Sequence, residues 1–150
     1  MFSESTLPEN LVQAYRETRY KVFAAQATET IAFELLIDQR CVGLIAAHHH
    51  HSVDCSAYIT ACNPYSQSLS PDENALRQGA LARELQSRGL AFDVGVGHHP
   101  SNGWEDGHGE PSFLVYGLNL DAATALAGQF EQNAFVFSGT DAVPRLILLR

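Results

Sequence analysis

Residues Tyr58 to Gly89, YITACNPYSQSLSPDENALRQGALARELQSRG, carry the strongest local instructions in the chain. Tyr58 to Cys62 is short, β-prone and bounded by a turn, which predicts a strand. Asn63-Pro64 ends it, because proline cannot donate to a sheet ladder and Asn-Pro favours turn initiation. Ser70 then opens a helix. Its hydroxyl can accept from a free N–H of the first turn, Pro71 sits where a missing N–H costs nothing, and Glu73 can reach back to the Ser70 N–H. Gly89 suits a left-handed cap. The prediction is a strand, a polar turn, and a helix from Pro71 to Arg88.

One face of that helix aligns Leu81 and Leu85 with Asn74 and Gln78 at helical spacing. The apolar stripe thus turns polar toward the N-terminus, beside the Asn63–Ser66 turn at the carboxyl end of a strand. Crevices in that position are where open α/β sheets hold ligands. Free N–H groups and the helix dipole there would favour an anion. A second reading stands beside this one: Asn63, Ser66, Asn74 and Gln78 satisfy backbone groups in a long turn, as such side chains often do.

The rest of the chain alternates helix and strand signals. Met1 to Leu7 reads as a frayed lead-in and Pro8 to Thr18 as a helix with Leu11, Tyr15 and Thr18 on one face. Tyr20–Ala24 and Thr30–Ile37 read as strands paired in a hairpin. Arg40–His49 reads as a helix with Val42, Leu44, Ile45 and Ala46 inside, although Gly43 weakens it. Leu90–Gly97 alternates, with Leu90, Phe92, Val94 and Val96 pointing one way. Residues 98–110 form a long polar loop with the lone Trp104, too polar for a core. Ser112–Gly117 is a strand. A helix begins at Asn119 or Leu120, with Ala122, Ala125, Leu126 and Phe130 as its buried face. Ala134–Ser138 and Val143–Leu149 close the chain as a hairpin around Gly139-Thr140-Asp141. The expected architecture is α+β (α/β), one domain over residues 1–150. Its sheet is mixed and mostly antiparallel, of about six or seven strands, with helices packed on it.

The net charge is −8 with a single lysine, Lys21, and no basic stripe, which argues against nucleic acid as a partner. Arg77, Arg83 and Arg88 lie among Asp72, Glu73 and Glu84 and read as a solvated helix face. The three cysteines, Cys41, Cys55 and Cys62, show no Cys-x-x-Cys spacing. An odd, scattered set points to a reducing compartment. No apolar run is long enough to span a bilayer, and MFSESTLPEN has neither a basic nor an apolar leader region. The expectation is a cytoplasmic protein with no membrane contact.

Motifs for chemistry are sparse. His48–His51 are four in a row, His98-His99 are paired and His108 is near. Imidazoles bind transition metals, but a contiguous run spreads its rings around a helix, and no His-Glu-x-x-His or Cys/His spacing occurs. Cys62 sits at a strand end near a helix N-terminus, where a thiol pKa can fall. A small apolar core role competes with that. Neither a dinucleotide fingerprint nor a phosphate loop is present, and no cofactor is expected. Glu73 and Glu110 can form an acid–base pair in principle, though capping already accounts for Glu73.

Thr60-Ala61-x-Asn63-Pro64-x-Ser66, the Pro111–Val115 strand with Gly117, and Phe130-x-Gln132-Asn133-Ala134 resemble a bacterial family, domain-of-unknown-function family 3293. Ala14-Tyr15 and Thr18-x-Tyr20 fit it as well, so the likeness runs from about Leu11 to Leu149. That family carries no assigned activity. What the resemblance implies is a small stand-alone domain with Tyr15, Tyr20, Asn63, Ser66, Asn74, Glu110, Gln132 and Asn133 converging on one crevice beside the long helix. The first functional expectation is a module binding a small molecule or a protein partner through an amide-rich pocket at the Asn63–Ser66 turn. The second is a small hydrolase using Glu110 as base, with Asn63 or Gln132 as oxyanion donors. The third is a histidine-dependent metal-binding protein.

Overall fold

A computed structural model describes residues 5–25, 27–99 and 109–150. In chain order the elements are α1 (Glu9–Glu17), β1 (Arg19–Ala24), β2 (Ala27–Leu35), α2 (Val42–His50), β3 (Ser56–Ile59), a single tight helical turn (Pro64–Ser66), α3 (Pro71–Ser87), β4 (Phe92–His98), β5 (Glu110–Tyr116), α4 (Leu120–Gln129), β6 (Ala134–Ser138) and β7 (Arg145–Leu148). The seven strands form one sheet in the order β2-β1-β4-β5-β3-β6-β7. Each neighbouring pair runs antiparallel. The expected α+β domain is what forms, but among the described residues the sheet is wholly antiparallel rather than mixed, so the strand–helix–strand units make no parallel pair. Most of the long polar loop, with Trp104 and His108, lies outside the described residues, as do Met1 to Glu4 of the lead-in.

Strand alternation splits the core into two clusters on opposite faces of the sheet. Ala57, Ile59, Phe113, Val115 and Phe135 face Leu81 and Leu85 of α3 and Ala123, Leu126 and Ala127 of α4. Tyr58, Leu114, Tyr116, Val136, Tyr20 and Val22 point the other way, toward Leu44 of α2. On β7 Leu146 packs on the second cluster and Ile147 on the first, so the final strand is covered on both sides as its unbroken apolar run suggested.

Local signals act as read around the long helix. Ser70 Oγ accepts from the Glu73 N–H at 3.2 Å and Glu73 Oε1 accepts from the Ser70 N–H at 3.4 Å, the reciprocal cap. Gly89 takes φ of +70° directly after the helix. Two other helices are rotated from the sequence reading. In α2 the buried side chains are Leu44 and His48, one turn apart, while Val42 is 75% exposed and Ala46 points out. Gly43 there is a packing device: a Cβ would stand 2.7 Å from the Phe33 Cβ, so the glycine lets α2 lie close on β2. In α4 the buried face is Ala123, Leu126 and Ala127, with Ala125 exposed. An alanine-rich helix carries little phase information. The apolar alternation of β4 also runs out, with Val94 41% exposed, because the helical layer covers Phe92 and stops short of Val94.

Replacing the fully buried Leu85 with alanine should lower unfolding free energy by about 2–5 kcal/mol. Leu76→Ala, on the exposed side of the same helix, should change it by less than about 0.5 kcal/mol. Urea unfolding of the two variants beside the parent checks both; equal losses would contradict the placement of α3.

Candidate functional site

The backbone between β3 and α3 is strained. Asn63, Tyr65 and Ser66 have φ of 49°, 53° and 62°, the left-handed region that side-chain-bearing residues avoid. Each such residue costs on the order of 1–3 kcal/mol and persists only where its surroundings hold it. Those surroundings are explicit. Asn74 Oδ1 accepts the Asn63 N–H at 2.9 Å, and Asn63 Oδ1 accepts from Asn74 Nδ2 at 2.8 Å and from the Leu69 N–H at 3.1 Å. The Tyr65 N–H donates to the Glu131 carbonyl at 2.7 Å, and Glu131 itself is left-handed with φ of 60°. Ser66 Oγ accepts from Asn133 Nδ2 at 2.9 Å and is hydrogen-bonded to the Tyr15 hydroxyl. The Arg150 guanidinium lies over the Tyr65 ring, 4.4 Å from its centroid.

Arg77 has a larger part than a solvated helix face. Its guanidinium donates to the Ala61 and Phe130 carbonyls, both at 2.6 Å, and pairs with Glu131 at 3.4 Å. It joins the end of the β3 segment to the end of α4. Gln132 adds a second tie: its Nε2 donates to the Cys62 carbonyl at 3.1 Å and the Phe130 carbonyl at 3.2 Å.

The turn roofs a cavity of about 450 Å³ that opens between α1 and the sheet. Leu11, Ala14, Tyr15 and Thr18 of α1 form one wall. Tyr20, Tyr58 and Ser112 come from strands, and Thr60 from just past β3, on the face of the second core cluster. Ala134, Phe135, Val136 and Leu146 add apolar surface. Gly97 lies between Tyr20 and Glu110 in the ladder, and its missing side chain leaves that volume open. Among the described residues neither arginine nor lysine lines the cavity; His99 does, and its ring nitrogen is 3.4 Å from Glu17 Oε1. The α3 N-terminus is occupied by its own capping box and by Asp72 and Glu73.

Glu110 is the charged centre. It opens β5, and Asn63 Nδ2 donates to its Oε2 at 2.9 Å. Desolvation pushes its pKa above the ordinary value, and the Asn63 hydrogen bond offsets part of that rise. Burial likewise pushes the Tyr20 and Tyr58 hydroxyls up, with Glu110 adding to both. Those hydroxyls stay neutral and donate to the Tyr15 and Lys21 carbonyls. The Tyr58 bond depends on Gly95, whose Cβ would stand 2.8 Å from that hydroxyl. Burial also pushes the Cys62 thiol up, so Cys62 behaves as a small core residue rather than a thiolate.

Of the residues singled out from the sequence, Tyr15, Tyr20, Asn63, Ser66, Glu110 and Gln132 line this cavity. Asn74 does not. It lines an adjoining hollow of about 690 Å³ on the α3 face, which shares Asn63, Ser68 and Glu110 with the first. Asn133 supports Ser66 from behind. Sequence reasoning missed Tyr58, Thr60, Ser112 and Arg77. For the first three, two-residue alternation from Tyr58 and from Glu110 was the available signal. The histidine run is largely spent on structure: His48 Nε2 is 2.8 Å from Ser56 Oγ, and the His51 ring stacks on Tyr116 with centroids 3.8 Å apart. Among the described residues no group of three or more His, Cys, Asp or Glu is placed to hold a metal ion. No described helix is long and apolar enough to cross a membrane.

A family model described as protein of unknown function (DUF3293) matches residues 59–135, the stretch from the end of β3 into β6 that includes Asn63, Asn74, Glu110 and Gln132. Neither the curated proteins nor the solved structures yield a match.

The raised pKa of Glu110 fixes a direction for stability. Above its unfolded value, near the ordinary 4.5, the folded state holds the proton more tightly than the unfolded state does. The contribution of this group is therefore most favourable below that value and declines as pH rises through the folded pKa. Glu110→Gln should remove that part of the decline, read as unfolding free energy against pH. Asn63→Ala, which deletes a donor that favours the carboxylate, should raise the Glu110 pKa further in a ¹³C carboxyl titration. A Glu110 pKa at or below 4.5 in the parent protein would contradict the geometry.

Proposed function

The chain belongs to the DUF3293 family of proteins of unknown function, and we propose that it is a binding module for a small, uncharged or cationic polar molecule held in the cavity beneath the Asn63–Ser66 turn. The observation that carries this reading is Glu110. One of its carboxylate oxygens is gripped by Asn63, while the other accepts no hydrogen bond among the described residues. That oxygen is not sealed inside the protein, and Glu110 lines the cavity, so the oxygen is open to a donor from outside the chain. A cavity of about 450 Å³ with apolar walls and a few fixed polar groups is the usual form of a small-molecule site. Backbone strain concentrated in the roof of the same cavity supports the reading, because strain of this kind clusters at ligand clamps. The amides serve it as scaffold: Asn63, Asn74, Gln132 and Asn133 fix the turn and the carboxyl instead of meeting the ligand themselves.

The raised pKa of Glu110 favours a second reading, a small hydrolase with this carboxyl in acid–base work. It is less well supported. Asn63 Nδ2 already donates to Glu110, and Gln132 Nε2 already donates to two carbonyls, so an oxyanion would find neither waiting. A bacterial, cytoplasmic setting belongs to the proposal; the free thiols of Cys41, Cys55 and Cys62 support a reducing compartment.

A thermal-shift screen of small polar molecules tests the binding reading. Compounds that raise the melting temperature should lose that effect in Ala14→Phe, which fills the cavity from α1, and keep it in Gln39→Ala on an exposed turn. Equal protection of Ala14→Phe and the parent would place binding elsewhere.

A further inference from the structure

A count of hydrogen-bond capacity in the cavity goes beyond its shape. The Tyr20 hydroxyl donates to the Tyr15 carbonyl, and the Tyr58 hydroxyl to the Lys21 carbonyl. Thr60 Oγ1 donates to the Pro111 carbonyl at 2.7 Å and accepts the Cys62 N–H at 3.0 Å. Ser112 Oγ donates to the Glu110 carbonyl at 3.1 Å, and Thr18 Oγ1 to the Ala14 carbonyl at 2.7 Å. Gln132 Nε2 serves two carbonyls with its two hydrogens. A hydroxyl has one hydrogen and two lone pairs. Among the described residues, each buried side-chain donor of the lining is thus engaged within the protein, with the Thr18 and Ser112 hydroxyls also beside those of Tyr20 and Tyr58. What these groups still offer is acceptor capacity: Gln132 Oε1 and above all Glu110 Oε1, neither of which accepts a hydrogen bond among the described residues.

Spare side-chain donors lie toward the more open part of the cavity. They are the second hydrogen of Asn63 Nδ2, one hydroxyl hydrogen of the Tyr15–Ser66 pair, and the exposed Ser68. The His99 ring nitrogen stands 3.4 Å from Glu17 Oε1. The buried interior therefore cannot satisfy an anion or a carbonyl oxygen, and either would be desolvated there without compensation.

Resting on the binding reading above, we infer that the cavity takes an organic nitrogen cation rich in N–H groups, of the amidinium or guanidinium kind, with its N–H edge on the Glu110 carboxylate. Such a planar cation offers parallel donors to a carboxylate. Its flat body suits walls made of the Tyr20 and Tyr58 rings, which stand edge to face with centroids 5.3 Å apart. The same count disfavours phosphorylated and carboxylated molecules in the buried part of the cavity.

Three probes of one size separate the possibilities: benzamidine, benzoate and benzyl alcohol, tested by thermal shift on the full chain, on Glu110→Gln and on Ala14→Phe. Benzamidine should stabilise the parent, lose about tenfold in affinity in Glu110→Gln, and give no shift in Ala14→Phe. Benzoate should give none in any of them. If benzoate or benzyl alcohol protects as well as benzamidine and Ala14→Phe abolishes that protection, the donor-rich ligand class is wrong and the pocket stands. If benzamidine protects Ala14→Phe as well as the parent, or if no probe protects the parent, the inference falls. Should Glu110→Gln fail to fold, the Glu110 carboxyl ¹³C resonance of the parent is the second readout. It should move with benzamidine and stay still with benzoate, and the reverse pattern would overturn the inference.

Discussion

The hydrogen bond from Asn63 to Glu110 ties the turn after β3 to the start of β5, beside the Thr60–Pro111 bond and the β3–β5 ladder. The backbone of that turn is left-handed at Asn63, Tyr65 and Ser66. Asn63 is in turn fixed at three points by Asn74 and Leu69, so the amide works as a rigid bracket. A desolvated carboxyl gains one directed donor from this arrangement and is left with a free oxygen. Loss of the bracket would release the strain of the turn and the position of the charge together.

The sheet makes that bracket possible by a simple periodicity. Alternation along β3 and β5 sends Ile59 and Phe113 to the α3–α4 side and Tyr58 and Leu114 to the other. The same count puts Ser112 and Glu110 of β5, and Thr60 just past the end of β3, on the second side. There α2 no longer covers the sheet, and α1 with the strained turn covers it loosely. Core and cavity are thus the same face at different heights. Below, large apolar side chains fill the space. Above, glycine and small hydroxyl residues leave it open.

The capped helix, the two hairpins and the α+β class were legible because they rest on short-range chemistry, such as Ser70 with Glu73 and the Gly139-Thr140-Asp141 turn. The phase of α2 and α4 was not, since Val42 and Ala125 look as apolar as the residues that are buried. Gly43 looked like a weakness in α2 and is the point of its close approach to Phe33. Six of the eight residues proposed from family resemblance meet at the cavity, and Asn74 and Asn133 brace it. Their roles were hidden. Nothing local says that an asparagine spends its amide on a carboxylate far along the chain, or that Arg77 reaches inward across two carbonyls. Those are properties of tertiary distance, and a single sequence carries no record of distance.

The Glu110 carboxylate offers one open oxygen in the cavity beneath the Asn63–Ser66 turn. A crystal structure of the chain grown with benzamidine tests this most directly. The account predicts the ring between α1 and the sheet, with its nitrogens within hydrogen-bonding distance of Glu110 and the Asn63–Glu110 contact intact. A hollow filled by the protein's own side chains, or a Glu110 turned away and fully paired within the protein, would contradict it.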